Sequence, residues 1–242
     1  MKNPNPADFN LRKISIFKNL PDDEQELVRA FFKNKEDGYY VDVGANDPIL
    51  ESQTYHLEKL GWDGLLIEPL TNYCEALRAK RNGTVVQFAC SAPENHNKSL
   101  KLLDAGVHST LNEAPIAPGA ESNLYVDVDV ACKTLDSILA DNNVKENFDF
   151  ISVDIEGHEM EMFKGFTLSK WKPSLVLLED HVTNHEKHLF MIENEYQLIM
   201  RTGINSWYVP KKLGYKLSLF AVLQYFRKYY LGLYLRKLKH RR

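Results

Sequence analysis

Hydrophobic and polar positions alternate along this chain in blocks: short apolar runs, then longer stretches of helical period. Apolar, β-prone runs at 39–43, 64–67, 84–88, 150–154 and 174–179 predict strands. Their near-continuous hydrophobicity is that of parallel strands covered on both faces. Apolar residues at helical spacing predict helices over 52–60, 71–81, 134–140, 158–163 and 185–192. An earlier helix is expected over 21–33, with Pro21 at its first position and Asp22, Asp23 and Glu24 in its first turn. Strand–helix alternation of this kind makes an α/β fold with right-handed crossovers. Between 91 and 130 the rhythm breaks. Residues 124–130 alternate with period two, as a half-exposed strand does, and 106–122, with Pro115 and Pro118, reads as a flap. Near the end, 196–201 and 206–209 flank Thr202-Gly203-Ile204-Asn205, a hairpin signal.

Composition changes this picture little. With 242 residues, 44% of them apolar and 26% charged, one α/β domain with a sizeable core is expected. It divides into a helical segment (1–37), a main domain (38–210) and a tail (211–242). The start carries no apolar signal core, and no run reaches the roughly 18 apolar residues of a spanning helix. Cys74, Cys90 and Cys132 are scattered, as reduced core cysteines in a cytoplasmic protein would be.

Charge changes it more. The net −3 hides ten Lys or Arg and no Asp or Glu from Lys211 to Arg242, which leaves 20 basic against 33 acidic residues in the rest. The body is acidic and the tail basic.

Candidate chemistry gathers at the strand ends. Residues 148–165 place Asp154 and Glu156 where a buried strand finishes, followed by Gly157 and His158. Carboxylates there face the crevice in which open α/β sheets bind ligands. The first strand ends in Asp42-Val43-Gly44-Ala45-Asn46, where glycine permits close approach of a ligand to the backbone. After Gly44 the next glycine is Gly61, so the dinucleotide fingerprint G-x-G-x-x-G is missing, which argues against NAD or FAD. Glu68, before Pro69, ends the next strand, where a carboxylate can accept from ribose hydroxyls. The strand at 174–179 runs into Glu179-Asp180-His181. His181 or His158, beside these carboxylates, could take a proton from a substrate hydroxyl. Asp154, Glu156 and Asp180 would also suit a hard Mg²⁺-like ion, but no metal is assigned. His181, His185 and His188 fall near one helical face, read here as a solvated helix and not as a zinc site.

Four stretches together resemble the FkbM-type family of S-adenosylmethionine-dependent methyltransferases. They are Val41-Asp-Val-Gly-Ala-Asn-Asp-Pro, Gly61-Trp-Asp-Gly-Leu-Leu-Ile-Glu-Pro, Thr134-Leu-Asp-Ser-Ile-Leu and Asp149-Phe-Ile-Ser-Val-Asp-Ile-Glu-Gly-His-Glu. The resemblance runs from about residue 38 to 209, in the family's order and spacing. It implies a Rossmann-like class I methyltransferase: a seven-stranded, mostly parallel sheet closed by an antiparallel hairpin, with helices on both faces. It implies S-adenosylmethionine held by Asp42, Gly44, Ala45, Asn46, Glu68 and Pro69, with Ser91 near the adenine and Asp154 near the methyl-donor end. The expected reaction is methylation of a hydroxyl on a sugar, glycan precursor or secondary metabolite, served by His181, His158, Glu156 and Asp180. A scaffold that binds the cofactor without turnover is the alternative. The chain departs from the family pattern at Ser52-Gln53-Thr54, at Asn205-Ser206 and at the extra acid Asp180, all on the acceptor side.

The tail predicts one or two helices from 213 onward. Leu219, Val222, Leu223, Phe226, Tyr230 and Leu233 share a face, and Lys and Arg surround it. Such a helix suits the inner, anionic face of a membrane, to which the protein would be peripheral; packing on its own domain or on a partner chain is the other reading. The acidic body speaks against nucleic acid.

Overall fold

The structure, a computed structural model, describes residues 21–50, 52–104, 111, 126–215 and 219–234. Its main sheet has seven strands in the order β3-β2-β1-β7-β8-β10-β9. β1 (Tyr39–Val43), β2 (Asp63–Ile67), β3 (Thr84–Val86), β7 (Phe150–Val153) and β8 (Leu175–Glu179) are parallel. β9 (Tyr196–Thr202) and β10 (Asn205–Pro210) form the closing hairpin, with β10 antiparallel to both neighbours. The architecture is the one the alternation and the resemblance implied.

Alternate residues of the strands enter opposite cores, as a period of two requires. Val41, Val43, Leu65, Ile67, Ile151, Val153, Val176 and Leu178 pack on one face. Tyr40, Leu66, Phe150, Leu175 and Leu177 pack on the other. Both faces are covered, which is why these strands read as unbroken apolar runs. The chain winds from β1 out to β3 on one side and from β7 to β8 on the other. Strand order therefore reverses between β1 and β7, and a crevice opens beyond their carboxyl ends.

Several elements differ from expectation. The strand foreseen over 84–88 stops at Val86 and continues as β4 (Ala89–Cys90) in a second sheet, β4-β6-β5. The period-two segment is β6 (Val126–Lys133), paired antiparallel with β5 (Ser99–Asp104), which was not foreseen. The helix expected over 52–60 shrinks to α2 (Tyr55–Glu58), because Ser52 Oγ takes the backbone N–H groups of Thr54 and Tyr55 and holds the chain in a turn first. The flap expected over 106–122 lies, apart from Leu111, outside the described residues.

The other helices fall within two residues of expectation. These are α1 (Pro21–Phe31), α3 (Thr71–Lys80), α4 (Leu135–Asp141), α5 (Glu159–Lys164) and α7 (Glu186–Glu193); the short α6 (Leu168–Trp171) was not foreseen. Leu27, Val28 and Phe31 of α1 join the second core. Glu24 of the same helix is 5% exposed and ties it to the hairpin. Its carboxylate accepts from Thr202 Oγ1, from Asn205 Nδ2 at 2.9 Å and from Gln53 Nε2 at 3.1 Å. Glu24→Ala would leave the buried Thr202 hydroxyl and two partly buried amide donors without an acceptor, and we expect a loss of about 1–3 kcal/mol in urea denaturation.

All three cysteines are buried and unpaired, and burial pushes the Cys74 thiol up to about 11, which makes it inert at neutral pH. Beyond β10, α8 (Leu219–Tyr225) runs into a π-helical segment, Phe226–Gly232. No described helix is long and apolar enough to cross a membrane.

Candidate cofactor and acceptor site

The crevice at the strand reversal encloses about 290 Å³. Asp42, Gly44, Ala45, Asn46, Glu68, Pro69 and Asp154 line it, as do Glu156, His158 and His181. Two expected residues do not. Ser91 is fully buried, and its hydroxyl meets His158 Nε2 at 3.0 Å and Asn95 Nδ2 at 3.0 Å. It braces His158 from behind. Asp180 also points away: Val182 N–H donates to Oδ1 at 2.7 Å, and Tyr229 OH donates to Oδ2 at 2.5 Å. The buried Arg201 guanidinium adds a third contact at 3.5 Å. Side chains alternate along an extended chain, so Glu179 and His181 face the crevice while Asp180 between them turns into the core.

The first wall is built from β1 and β2. Gly44 has φ +85, and a Cβ there would stand 1.8 Å from the Asp154 carbonyl oxygen. The sequence alone suggested that glycine makes room for a ligand; the structure adds that it makes room for the neighbouring backbone. Asn46 also has positive φ, which asparagine tolerates, and its side-chain Oδ1 is buried without a partner. Glu68 is 4% exposed and receives the backbone N–H of Asn46 at 3.0 Å and of Leu70 at 2.9 Å. The carboxylate lines the crevice, where a ribose hydroxyl can donate to it.

Behind this wall lies a buried polar chain. Thr54 Oγ1 donates to Asp42 Oδ2 at 2.6 Å, Arg81 Nη2 donates to Thr54 Oγ1 at 2.8 Å, and Arg81 Nε pairs with Glu58 at 2.9 Å. Tyr40 OH also donates to Glu58. Gly64 leaves the space for that ring: a Cβ there would lie 2.3 Å from it. Burial raises the Asp42 carboxyl above its usual range, while the Thr54 hydroxyl and Arg81 oppose the rise. Leu70, Tyr73, Phe88, Ala89 and Leu102 supply an apolar wall beside Glu68.

The second wall is acidic. Asp154 is crowded by protein yet keeps surface open to the crevice. Burial first, then the negative charges of Glu179 and Glu156, hold its carboxyl well above the normal range. Glu179 is 2% exposed; burial pushes it up, but the His181 imidazole outweighs this and holds it below normal. His181 Nε2 meets Glu179 Oε1 at 2.8 Å, and that contact raises the imidazole pKa. His158, by contrast, is lowered by burial and stays neutral.

Backbone strain marks the same wall. Glu156 and the β-branched Val182 both adopt positive φ, 51° and 55°, on either side of the Glu179–His181 pair. Lys187 secures the underside: its Nζ meets Glu159 at 2.7 Å and the Glu179 carbonyl at 3.0 Å. Glu156, Glu179 and His181 each offer one ligand atom, all within 4.8 Å of one another, so these three could hold a divalent ion. Sequence reasoning placed Glu179 at the strand end without giving it a role; its pairing with a histidine two residues on was the available signal. The helix bearing His185 and His188 is not simply solvated: His188 is 9% exposed, hydrogen-bonded to Tyr208 OH at 3.0 Å and packed on Tyr225 and Tyr229.

The donor set fits S-adenosylmethionine. A ribose can reach Glu68, an adenine can rest on the apolar wall, and the orphaned Asn46 Oδ1 offers an acceptor for an N–H or ammonium donor. The acid cluster around Asp154 favours a sulfonium charge.

Among solved structures, a precorrin-6y C5,15-methyltransferase from Geobacter metallireducens GS-15 aligns over 78% of this chain and 84% of its own, at 12% identity and a TM-score of 0.42. A putative RNA methyltransferase from Pyrococcus horikoshii aligns over 83% and 95%, at 10% identity and a TM-score of 0.43. TrmK of M. capricolum, solved with S-adenosyl-homocysteine, aligns over 81% and 68%, at 8% identity and a TM-score of 0.42. No curated protein sequence matches the chain. The FkbM methyltransferase domain matches residues 42–217, well over half of it. The chain therefore belongs to the FkbM methyltransferase family, with S-adenosylmethionine as its methyl donor.

Proposed function

We propose that the protein methylates a hydroxyl of a sugar, glycan precursor or secondary metabolite. The observation that carries this reading is the Glu179–His181 pair on the crevice wall, with the imidazole 58% exposed and its carboxylate partner 3% exposed. Bound S-adenosylmethionine supplies an electrophilic methyl group on a positively charged sulfur. Glu68 and Asn46 would hold the nucleoside side, and Asp42, fixed by Thr54, keeps the β1 wall rigid. The narrow crevice aligns the acceptor and excludes water, the larger part of catalysis in a displacement of this kind. His181 takes the acceptor's proton at Nδ1, while Glu179 accepts from Nε2–H, orients the ring and stabilises the imidazolium that forms. Glu156 lines the acceptor side, and neutral His158, held through Nε2 by Ser91, backs the wall behind it.

The carboxylate at 2.8 Å raises the His181 pKa above its usual 6.5, and only the neutral ring can accept a proton. Turnover is therefore expected to rise with pH through a value above 6.5. His181→Gln should lower kcat by roughly 10²- to 10⁴-fold and remove that limb of the profile. Glu179→Gln should move the limb back toward 6.5. A profile unchanged in His181→Gln would remove the imidazole from the mechanism. Purified protein, S-adenosylmethionine and a panel of hydroxylated saccharides, read out by S-adenosylhomocysteine release, is the assay.

A further inference from the structure

The tail helix packs on the domain with one face and offers another, apolar one outward. Gln224, Tyr229 and Leu233 point in and are 6%, 1% and 5% exposed. Gln224 receives Arg201 N–H at 3.1 Å and donates to Arg201 O at 2.7 Å, extending the β9 edge, while Tyr229 OH reaches Asp180. On the opposite side Leu219, Val222, Leu223, Phe226 and Tyr230 recur at helical spacing and are between 45% and 76% exposed. A helix held only by its own domain would turn its whole aliphatic stripe inward; this one anchors through Gln224, Tyr229 and Leu233 and leaves the stripe largely exposed among the described residues.

We propose that this outer face docks on an anionic phospholipid surface. The charge distribution selects that occupant. Arg227 and Lys228 flank the stripe, Arg236, Lys237, Lys239, Arg241 and Arg242 follow it in sequence, and no acid occurs from Lys211 onward. Each Lys or Arg near an anionic surface strengthens attachment roughly fivefold. The acidic remainder is repelled by the same surface, so only this face can approach it. A second copy would bring two such basic segments together, which disfavours self-association. The described helix from Leu219 to Gly232 is at most about 21 Å long at 1.5 Å per residue, its second half being π-helical, and lies along an interface, too short to cross one. Its tyrosines, apolar in the ring and polar at the tip, suit the headgroup level. Docking would also bring a membrane close to the acceptor wall, because Asp180, under Tyr229, sits between Glu179 and His181. The docking itself does not depend on the methyltransferase reading; only this consequence for the acceptor does.

The test is flotation of the full chain with vesicles of phosphatidylcholine alone or mixed with phosphatidylglycerol, for the wild type and for a Leu223→Glu, Phe226→Glu variant. We expect recovery only with the anionic vesicles, falling with added salt, and a loss of roughly tenfold or more in the variant. Calorimetric binding of S-adenosylmethionine should be the same in both proteins, which shows that the variant is folded. Equal recovery on neutral and anionic vesicles, or none, overturns the proposal. So does undiminished recovery of the variant, which would mean that charge alone attaches the chain. A wild-type dimer that the variant converts to monomer, without vesicle binding, would assign the face to a second copy and also overturn it.

Discussion

Gly44→Ala is expected to abolish detectable binding of S-adenosylmethionine while leaving much of the secondary structure in place. The substituted residue would have to keep φ +85, a conformation that strains an L side chain by about 1–3 kcal/mol. The larger problem is steric. Its methyl group would lie 1.8 Å from the Asp154 carbonyl oxygen, roughly half a normal contact distance, and the obstacle is backbone at the exit of a central strand. Either β1 or β7 must move, and the crevice is the gap between their ends. Circular dichroism and calorimetry with the cofactor measure the two halves of the prediction. Binding within threefold of the wild type would show that the crevice tolerates displacement of this backbone.

Arg81→Met is expected to cost the fold about 3–5 kcal/mol, because it leaves Glu58 buried without its cation. For a chain of this size that corresponds to a fall of roughly 10 °C in Tm. The Arg81 side chain is fully buried and donates to Glu58, Ser52, Thr54, Tyr40 and the Pro48 carbonyl. The Tyr40, Asn82 and Gly83 donors that remain on Glu58 place the expectation toward the lower end of that range. The effect reaches the crevice through Thr54, whose hydroxyl fixes Asp42. Cofactor affinity should therefore fall as well. A double substitution with Glu58→Gln should cost less than the sum of the two, since it removes both charges together. Additive losses would mean that the pair is not coupled.

The residues explain why most of the fold was legible and part was not. Strands β1, β2, β7 and β8 are buried on both faces, so their apolar runs are unbroken and their carboxyl ends announce themselves as the first polar residues. The Asp42–Asn46 turn, Glu68 and the Asp154–Glu156 exit were readable for that reason. The second sheet was less so. Ser99–Asp104 alternates weakly and becomes a strand only because Val126–Lys133 lies beside it, a long-range pairing that no local pattern carries. Ser91 and Asp180 misled in the same way: each follows a strand as a ligand-binding residue would, yet each side chain turns away to hold something else. Asp180 is occupied by Tyr229, nearly fifty residues later in the chain. The tail's amphipathic pattern was visible, but which face would be free was not, because Gln224 and Tyr229 anchor it through contacts with Arg201 and Asp180. The buried chain from Arg81 to Asp42 left no sequence signal, since nothing local distinguishes Arg81 from a solvated arginine at a helix end.

We propose the gap between β1 and β7 as the site for S-adenosylmethionine, with Glu68 as its nucleoside anchor. Isothermal titration calorimetry of the cofactor against wild type and Glu68→Ala tests it most directly. Bidentate acceptance by a carboxylate contributes about 2–4 kcal/mol, so the variant should bind roughly 30- to 1,000-fold more weakly; without ligand its melting curve should stay cooperative but shift down, because the Asn46 and Leu70 N–H groups lose their acceptor. A wild type that gives no heat of binding, or a Glu68→Ala variant that binds as tightly as the wild type, would contradict it.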